Sequence, residues 1–114
     1  MVPPPAGAVV LVRFSFSDLS QTKLRPAVVL ANAGRGGCTL CQVTSKPYGD
    51  PRAITLEDTS FSAGSLRVLS HARPGKRFTA NRDLIISEVA TLNSQSLKEI
   101  VDAVVNLLRA DDAS

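Results

Sequence analysis

The amino-acid sequence predicts a mainly β (α+β) domain: a small, strongly bent antiparallel barrel with one amphipathic helix beside it at the C-terminus. Three observations carry that expectation. Two apolar runs, Pro26–Ala31 and Cys38–Val43, flank a Gly-rich turn at Gly34-Arg35-Gly36-Gly37, and glycines supply the positive φ angles that reverse a hairpin. Other short β-prone runs separated by turn signals surround this hairpin. The closing segment then changes to a helical 3–4 spacing of apolar residues. Strands in short runs followed by a single terminal helix suit a curled sheet with a helix packed against it.

In chain order, Val2 to Ala6 is a proline-rich lead-in without a strand's donors. Val9 to Phe14 (VVLVRF) is the first strand, too continuously apolar to face water on both sides. Ser15 to Lys23 (SFSDLSQTK) is polar and reads as a long flexible loop that can fold over the open end of the hairpin. After the hairpin, Lys46–Asp50 (KPYGD) signals a turn, Arg52–Leu56 a short strand and Glu57-Asp58-Thr59 another turn. Leu66–Ser70 and Arg77–Thr79 read as strand pieces interrupted by Arg73-Pro74-Gly75-Lys76. Asn81–Leu84 suits a single helical turn, and a short strand follows near Ile86–Leu92.

From Asn93, Leu97, Ile100, Val101, Val104, Leu107 and Leu108 form one helical stripe. Asn93 or Ser94 can cap this helix, Arg109 suits its C-terminal end, and residues 110–114 read as a frayed tail.

At 114 residues, 44% hydrophobic and 20% charged, the chain is a single globular domain, 1–114, able to bury one core. No apolar run approaches the roughly 18–20 residues of a membrane span, and the first residues lack the pattern of a secretory signal. A cytoplasmic protein is the expectation. Cys38 and Cys41 have CxxC spacing, but inside a strand that separation puts them on opposite faces. With no second cysteine pair and one histidine, His71, a four-ligand zinc site cannot be assembled from Cys and His. Both cysteines read as reduced core residues, and no metal or other cofactor is expected.

The net charge of +3 is mild but unevenly spread. Arg67, Arg73, Lys76, Arg77 and Arg82 fall within sixteen residues. With Lys23, Arg25 and Lys46 at the hairpin mouth they can line a groove for a phosphate backbone; the alternative is a solvated basic edge. GxSxG, P-loop and HExxH motifs are all absent. His71 falls at a strand-to-loop edge, where it reads as a solvated histidine rather than a base.

What remains is the outer end of the hairpin. A two-residue loop at Gly34-Arg35 sets Arg25 opposite Thr44, and a loop one residue longer sets it opposite Ser45. Cross-strand Cβ atoms lie about 4.5–5.5 Å apart, so a small anion can touch the guanidinium and the hydroxyls together. An arginine at a strand mouth is also an ordinary surface charge. Guanidinium nonetheless offers permanently charged donors matched to phosphate oxygens. If the 2′-hydroxyl beside the scissile phosphate is the nucleophile, such a site cleaves RNA, spares DNA and needs no metal.

In the order and spacing of its pieces the chain resembles the MazF/PemK family of toxin endoribonucleases from bacterial type II toxin–antitoxin modules. The carriers are G-x-V-V-L-V at Gly7–Val12, Phe14-Ser15-Phe16-Ser17-Asp18-Leu19, Arg25-Pro26-Ala27, Cys41-Gln42-Val43-Thr44-Ser45, Lys-x-Phe-Thr at Lys76–Thr79, and the closing helix. The resemblance, from about Gly7 to Leu108, implies an SH3-like barrel, a homodimer, and cleavage of single-stranded RNA at short sequences. It also implies inhibition by a cognate antitoxin protein and DNA binding together with it. On the matching positions, Arg25 takes the catalytic arginine's role with Thr44 as its hydroxyl partner and Ser45 beside it, and Arg73 falls where some members carry a second catalytic arginine.

Two positions depart from the family pattern. Ala8 stands where an acid commonly follows the glycine, and Gly75 where some members have a carboxylate, so the general base is unassigned. RNA contacts are expected from Phe16, Ser20, Gln21 and Lys23 in one loop, Lys46 and Tyr48 in another, and Arg73, Lys76 and Arg77 in the basic stretch. Phe16 and Tyr48 are stacking candidates or simple loop anchors. Competing functions are a DNA gyrase poison on the same barrel, or a non-catalytic RNA-binding barrel.

Overall fold

The computed structural model describes residues 4–15, 22–46 and 49–112. Seven strands precede one helix: β1 (Ala8–Ser15), β2 (Thr22–Gly34), β3 (Gly37–Thr44), β4 (Ile54–Leu56), β5 (Phe61–Gly64), β6 (Ser70–Asn81), β7 (Ile85–Leu92) and α1 (Ser94–Asp112). They form one antiparallel sheet in the order β4-β6-β3-β2-β1-β7-β5.

Connectivity forces this sheet to curl. β4 and β5 occupy opposite edges, yet Leu56 and Phe61 are joined only through a 3₁₀ turn at Asp58–Ser60. Six strand spacings laid flat are about 29 Å, whereas five peptide steps reach about 18 Å at full extension. The edges must therefore approach, and the sheet becomes the expected bent barrel, open along the seam between β4 and β5. One-residue register shifts in the β1–β7 and β2–β3 pairings bend it further.

Alternating side chains give each face its own apolar cluster. Val9, Val28, Cys41, Val43, Leu56, Ala72, Leu92 and the helix residue Ile100 pack on the inner face. Ala8, Val10, Val12, Ala27, Val29, Cys38 and Leu40 pack on the other. The two cysteines thus lie on opposite faces, both buried and free. Asn93 ties the helix to the seam: its Oδ1 accepts from Ser96 N at 2.8 Å, Nδ2 donates to Thr59 O at 2.7 Å, and its backbone N donates to Ser60 O at 2.9 Å.

Several elements differ from expectation. Ser15, Thr22 and Lys23, expected in a loop, belong to strands; the rest of that expected loop, residues 16–21, lies outside the described residues. The run at Leu66–Leu69 forms no strand; Phe61–Gly64 does. The stretch after β5 must carry the chain from one sheet edge across the seam to β6, so Val68 and Leu69 remain 59% exposed despite their β-prone character. Gly64, at φ +66, makes the exit from β5; an added Cβ would sit 2.6 Å from Val89 O. The helix continues through residues 110–112. Ile100 is fully buried, but Val101, Val105 and Leu108 face outward, so the apolar stripe is wider than the surface the barrel covers.

Candidate active site

The hairpin turns one residue later than expected. Gly34 pairs with Gly37 around Arg35-Gly36, and Gly34, Arg35 and Gly36 have φ of +80, +50 and +78. Asn32 Oδ1 accepts from Gly34 N at 2.9 Å, an Asx turn that supports the reversal. Carried straight to the mouth, the tip's register would set Arg25 opposite Lys46. Shifts between Asn32 and Gly34 and between Val29 and Ala31 change it, so that Ala27 faces Gln42. Two residues further on, this register sets Arg25 opposite Thr44. Ser45 lies just beyond the end of β3, exposed at a bend.

The line continues across the sheet. Thr44 pairs with His71 on β6, and His71 pairs with Thr55 on β4. Arg25, Thr44, His71 and Thr55 therefore form one row over four adjacent strands, about 14 Å from end to end. Their alternating neighbours Val43, Ala72 and Leu56 point into the inner cluster with Ile100, so the row lies on the opposite face. Along that face the buried apolar cover ends at Val12, opposite Arg25, and Ala27. Beyond it Arg25 and Thr55 are exposed and Thr44 and His71 half-buried.

Short local contacts hold the row's polar groups. Thr44 Oγ1 accepts from Lys46 N at 3.1 Å and lies 3.2 Å from Lys46 O, to which it donates. His71 Nδ1 lies 3.3 Å from Thr55 Oγ1. Arg73 comes alongside through a large bulge: Ala72 pairs with Val43 and Arg77 with Cys41, leaving Arg73-Pro74-Gly75-Lys76 opposite the single residue Gln42. The expected interruption is thus a detour within one continuous strand.

That detour is anchored on both sides. Arg73 Nε donates to Asp50 Oδ2 at 3.0 Å, and Asp50 Oδ1 accepts from Arg52 N at 2.9 Å. The Arg52 N–H first, and the Arg73 guanidinium second, hold the Asp50 carboxyl below its ordinary 3.8. Arg77 Nη1 donates to Pro74 O at 2.8 Å. The Cys41 thiol donates to Arg73 O at 3.2 Å, and burial pushes its pKa up to about 11. It is a protonated core group, not a nucleophile.

The expected basic groove separates into four places. Lys23 and Lys46 are exposed near Arg25 and Thr44, and Lys76 is exposed on the bulge. Arg77 pairs with Cys41, on the face away from Thr44. Arg67 borders the seam beside Leu56 and Leu66, while Arg82 lies against Gly36 at the hairpin tip. Phe16, Ser20, Gln21 and Tyr48 lie outside the described residues. Asp50 and His71 are the members of this neighbourhood that motif reasoning passed over. With a strand expected to end at Ser70, His71 fell on a loop edge; β6 in fact begins there. Among the described residues no cluster of His, Cys, Asp and Glu could hold a metal, and no helix is long and apolar enough to cross a membrane.

A family model for the PemK-like, MazF-like toxins of type II toxin–antitoxin systems matches residues 6–108. The chain belongs to this family. Its fold is similar to that of a chain in the MazE-MazF crystal structure (Form-II) from Deinococcus radiodurans, with a TM-score of 0.77, 24% identity, and coverage of 95% of this chain and 97% of that one. MazF (Form-I) from the same organism gives a TM-score of 0.74 at 25% identity, covering 95% and 98%. An endoribonuclease in complex with its cognate antitoxin from a mycobacterial species gives 0.70 at 12% identity, covering 95% of each chain. A search of curated protein sequences gives no match. The MazF-like fold is thus a half-barrel of seven antiparallel strands with one C-terminal helix.

Proposed function

We propose that this MazF-like chain is the toxin of its module and a metal-independent endoribonuclease. It cleaves single-stranded RNA by attack of a 2′-hydroxyl on the adjacent phosphate. The observation that carries this reading is the β2–β3 register, which pairs Ala27 with Gln42 and, continued for two residues, brings Arg25 to Thr44 on the uncovered side of the sheet. Arg25 donates to the non-bridging oxygens as negative charge builds on phosphorus. Thr44 turns its hydroxyl proton from Lys46 O to the same phosphate. Products are a 2′,3′-cyclic phosphate and a 5′-hydroxyl end. Lys23, Lys46 and Lys76 attract the flanking phosphates, and the segments Ser15–Lys23 and Lys46–Asp50 read the bases.

The active form is a homodimer, supported by the outward apolar stripe Val101, Val105 and Leu108. A cognate antitoxin occupies the RNA groove, as suggested by the relatives crystallised with theirs. The test is incubation of purified protein with mixed-sequence RNA in EDTA. Discrete fragments that vanish when the 2′-hydroxyl at the cleavage position is replaced by hydrogen are expected. Intact RNA would overturn the reading; gyrase-dependent DNA breaks would point to the gyrase poison, and binding without cleavage to a silent barrel.

A further inference from the structure

Neither the Arg25 guanidinium nor the Thr44 and Thr55 hydroxyls can take up the proton of an attacking 2′-hydroxyl, so proton transfer in this row still needs an owner. We infer that His71 is the general base, taking the proton from the attacking 2′-hydroxyl. This assignment rests on the endoribonuclease reading above and names a further catalytic residue within it.

Three observations place His71 there. It is the direct cross-strand partner of Thr44, on the same face as Thr44 and Arg25. A phosphate held between Arg25 and Thr44 therefore has an imidazole one strand away, at about 5 Å backbone spacing. The ring is oriented from the far side: Nδ1 lies 3.3 Å from Thr55 Oγ1. With the Nδ1 proton directed at that oxygen, the Nε2 lone pair is left as acceptor. Finally, the ring is half-buried, reachable by substrate but backed by Ala72 in the Ile100 cluster.

The groups that face the ring from the packed elements differ in charge. Thr44 on β3 and Thr55 on β4 are uncharged. Arg25 on β2 is a cation, and Arg73 on β6 is a cation paired with Asp50. Helix α1 packs against the opposite face through Ile100.

In the step itself, the 2′-O–H proton passes to His71 Nε2 as the bond from O2′ to phosphorus forms. The bond from phosphorus to O5′ breaks, and the 5′-oxygen leaves with a proton from water. The imidazolium then returns its proton to the hydroxide so formed, and the cycle closes. Thr55 is a positioning residue that acts through the ring.

His71 is the chain's sole histidine, so both chemical modification and pH dependence report on it alone among imidazoles. In the parent protein, the single-turnover cleavage rate should be lower in acid than at neutral pH, the profile of a step that needs an unprotonated base. Diethyl pyrocarbonate should abolish cleavage, with bound 2′-deoxy-substituted RNA protecting. His71→Gln should lose about 10²–10⁴-fold in rate, keep RNA affinity, and lose the rising limb. Thr55→Val should lower the rate by less and retain that limb.

A parent rate as high in acid as at neutral pH, a fully modified protein that still cleaves, or folded His71→Gln protein cutting at the parent rate would each overturn the assignment. The first two need no variant to fold. If the parent leaves all RNA intact, the endoribonuclease reading fails and takes this assignment with it. If Arg25→Ala abolishes cleavage and His71→Gln does not, only the assignment of His71 fails.

Discussion

The two ends of the β2–β3 hairpin do opposite kinds of work. At the tip, Gly34, Arg35 and Gly36 all have positive φ, Asn32 supports the reversal, and Arg82 N donates to Gly36 O at 2.8 Å. Almost everything there is backbone geometry, which glycine supplies at little steric cost. At the mouth the backbone is ordinary strand, and side chains matter: Arg25, Thr44, His71 and Thr55 stand in one row. The two register shifts between them connect the ends. A slip of one residue turns every side chain to the other face, so the site's composition is decided in the middle of the hairpin, by residues that touch no substrate.

Under the proposed function, the mouth should be sensitive in activity and insensitive in stability. Arg25→Ala should lose about 10²–10³-fold in RNA cleavage, the usual effect of removing one preorganised donor to a developing anion. Its melting temperature should stay at the parent's, because an exposed strand cation contributes little stability. Arg25→Lys should recover only part, keeping charge but losing the planar fork. Thr44→Val should lose less than Arg25→Ala. Parent-rate cleavage by folded Arg25→Ala protein would remove the mouth from the mechanism altogether.

Breaking the support behind the row should do the reverse. Ile100 packs on Ala72 and Leu56, the inner-face neighbours of His71 and Thr55. Val101→Pro interrupts the helix at the next residue and should cost about 3 kcal/mol or more, read by denaturant unfolding. Hydrogen exchange should then show β4 and the first half of β6 opening before the hairpin tip. A variant as stable as the parent would mean that the helix carries little of the fold. At the tip, Gly36→Ala should cost about 1 kcal/mol from its positive φ. An added Cβ meets only the Arg82 side chain, Nε at 3.6 Å and Cγ at 4.0 Å, so cleavage per folded molecule should not change.

The fold was legible where local pattern and tertiary demand agree. The apolar runs of β1 to β3, the 3₁₀ turn Arg82–Leu84, where Asn81 Oδ1 accepts from Asp83 N at 2.9 Å, and the terminal helix all satisfy both. Leu66–Leu69 did not, because whether an apolar run becomes a strand depends on a free edge beside it, and this one crosses the seam. The expected turn was one residue off, and register shifts that composition does not reveal return β2–β3 to Ala27 opposite Gln42, the register that extends to Arg25 and Thr44. His71 was not legible beside Thr44, since their relation is a pairing between strands 27 positions apart in sequence, interrupted by the bulge at Arg73–Lys76.

The smallest expected effect concerns what fixes that bulge. Arg73 is held by Asp50 at 3.0 Å, while Asp50 itself caps the Arg52 N–H. Because both contacts favour the carboxylate, its folded pKa lies below the unfolded 3.8. The stabilisation is therefore fully present above 3.8 and is lost as pH falls through the lower folded value. Asp50→Asn keeps the shape and removes the charge. The parent should melt slightly above the variant at pH 7, and the two should converge as the pH falls through the carboxyl's lowered folded pKa. The side chains lie near the surface, so the gap should also shrink in high salt. Arg73 without its carboxylate partner becomes available to phosphate, and the Asp50→Asn protein should bind RNA more tightly at low salt than the parent does. A gap that widens in acid would reverse the assigned sign, and unchanged RNA affinity would leave Arg73 as a brace of the bulge rather than part of the RNA-contacting surface.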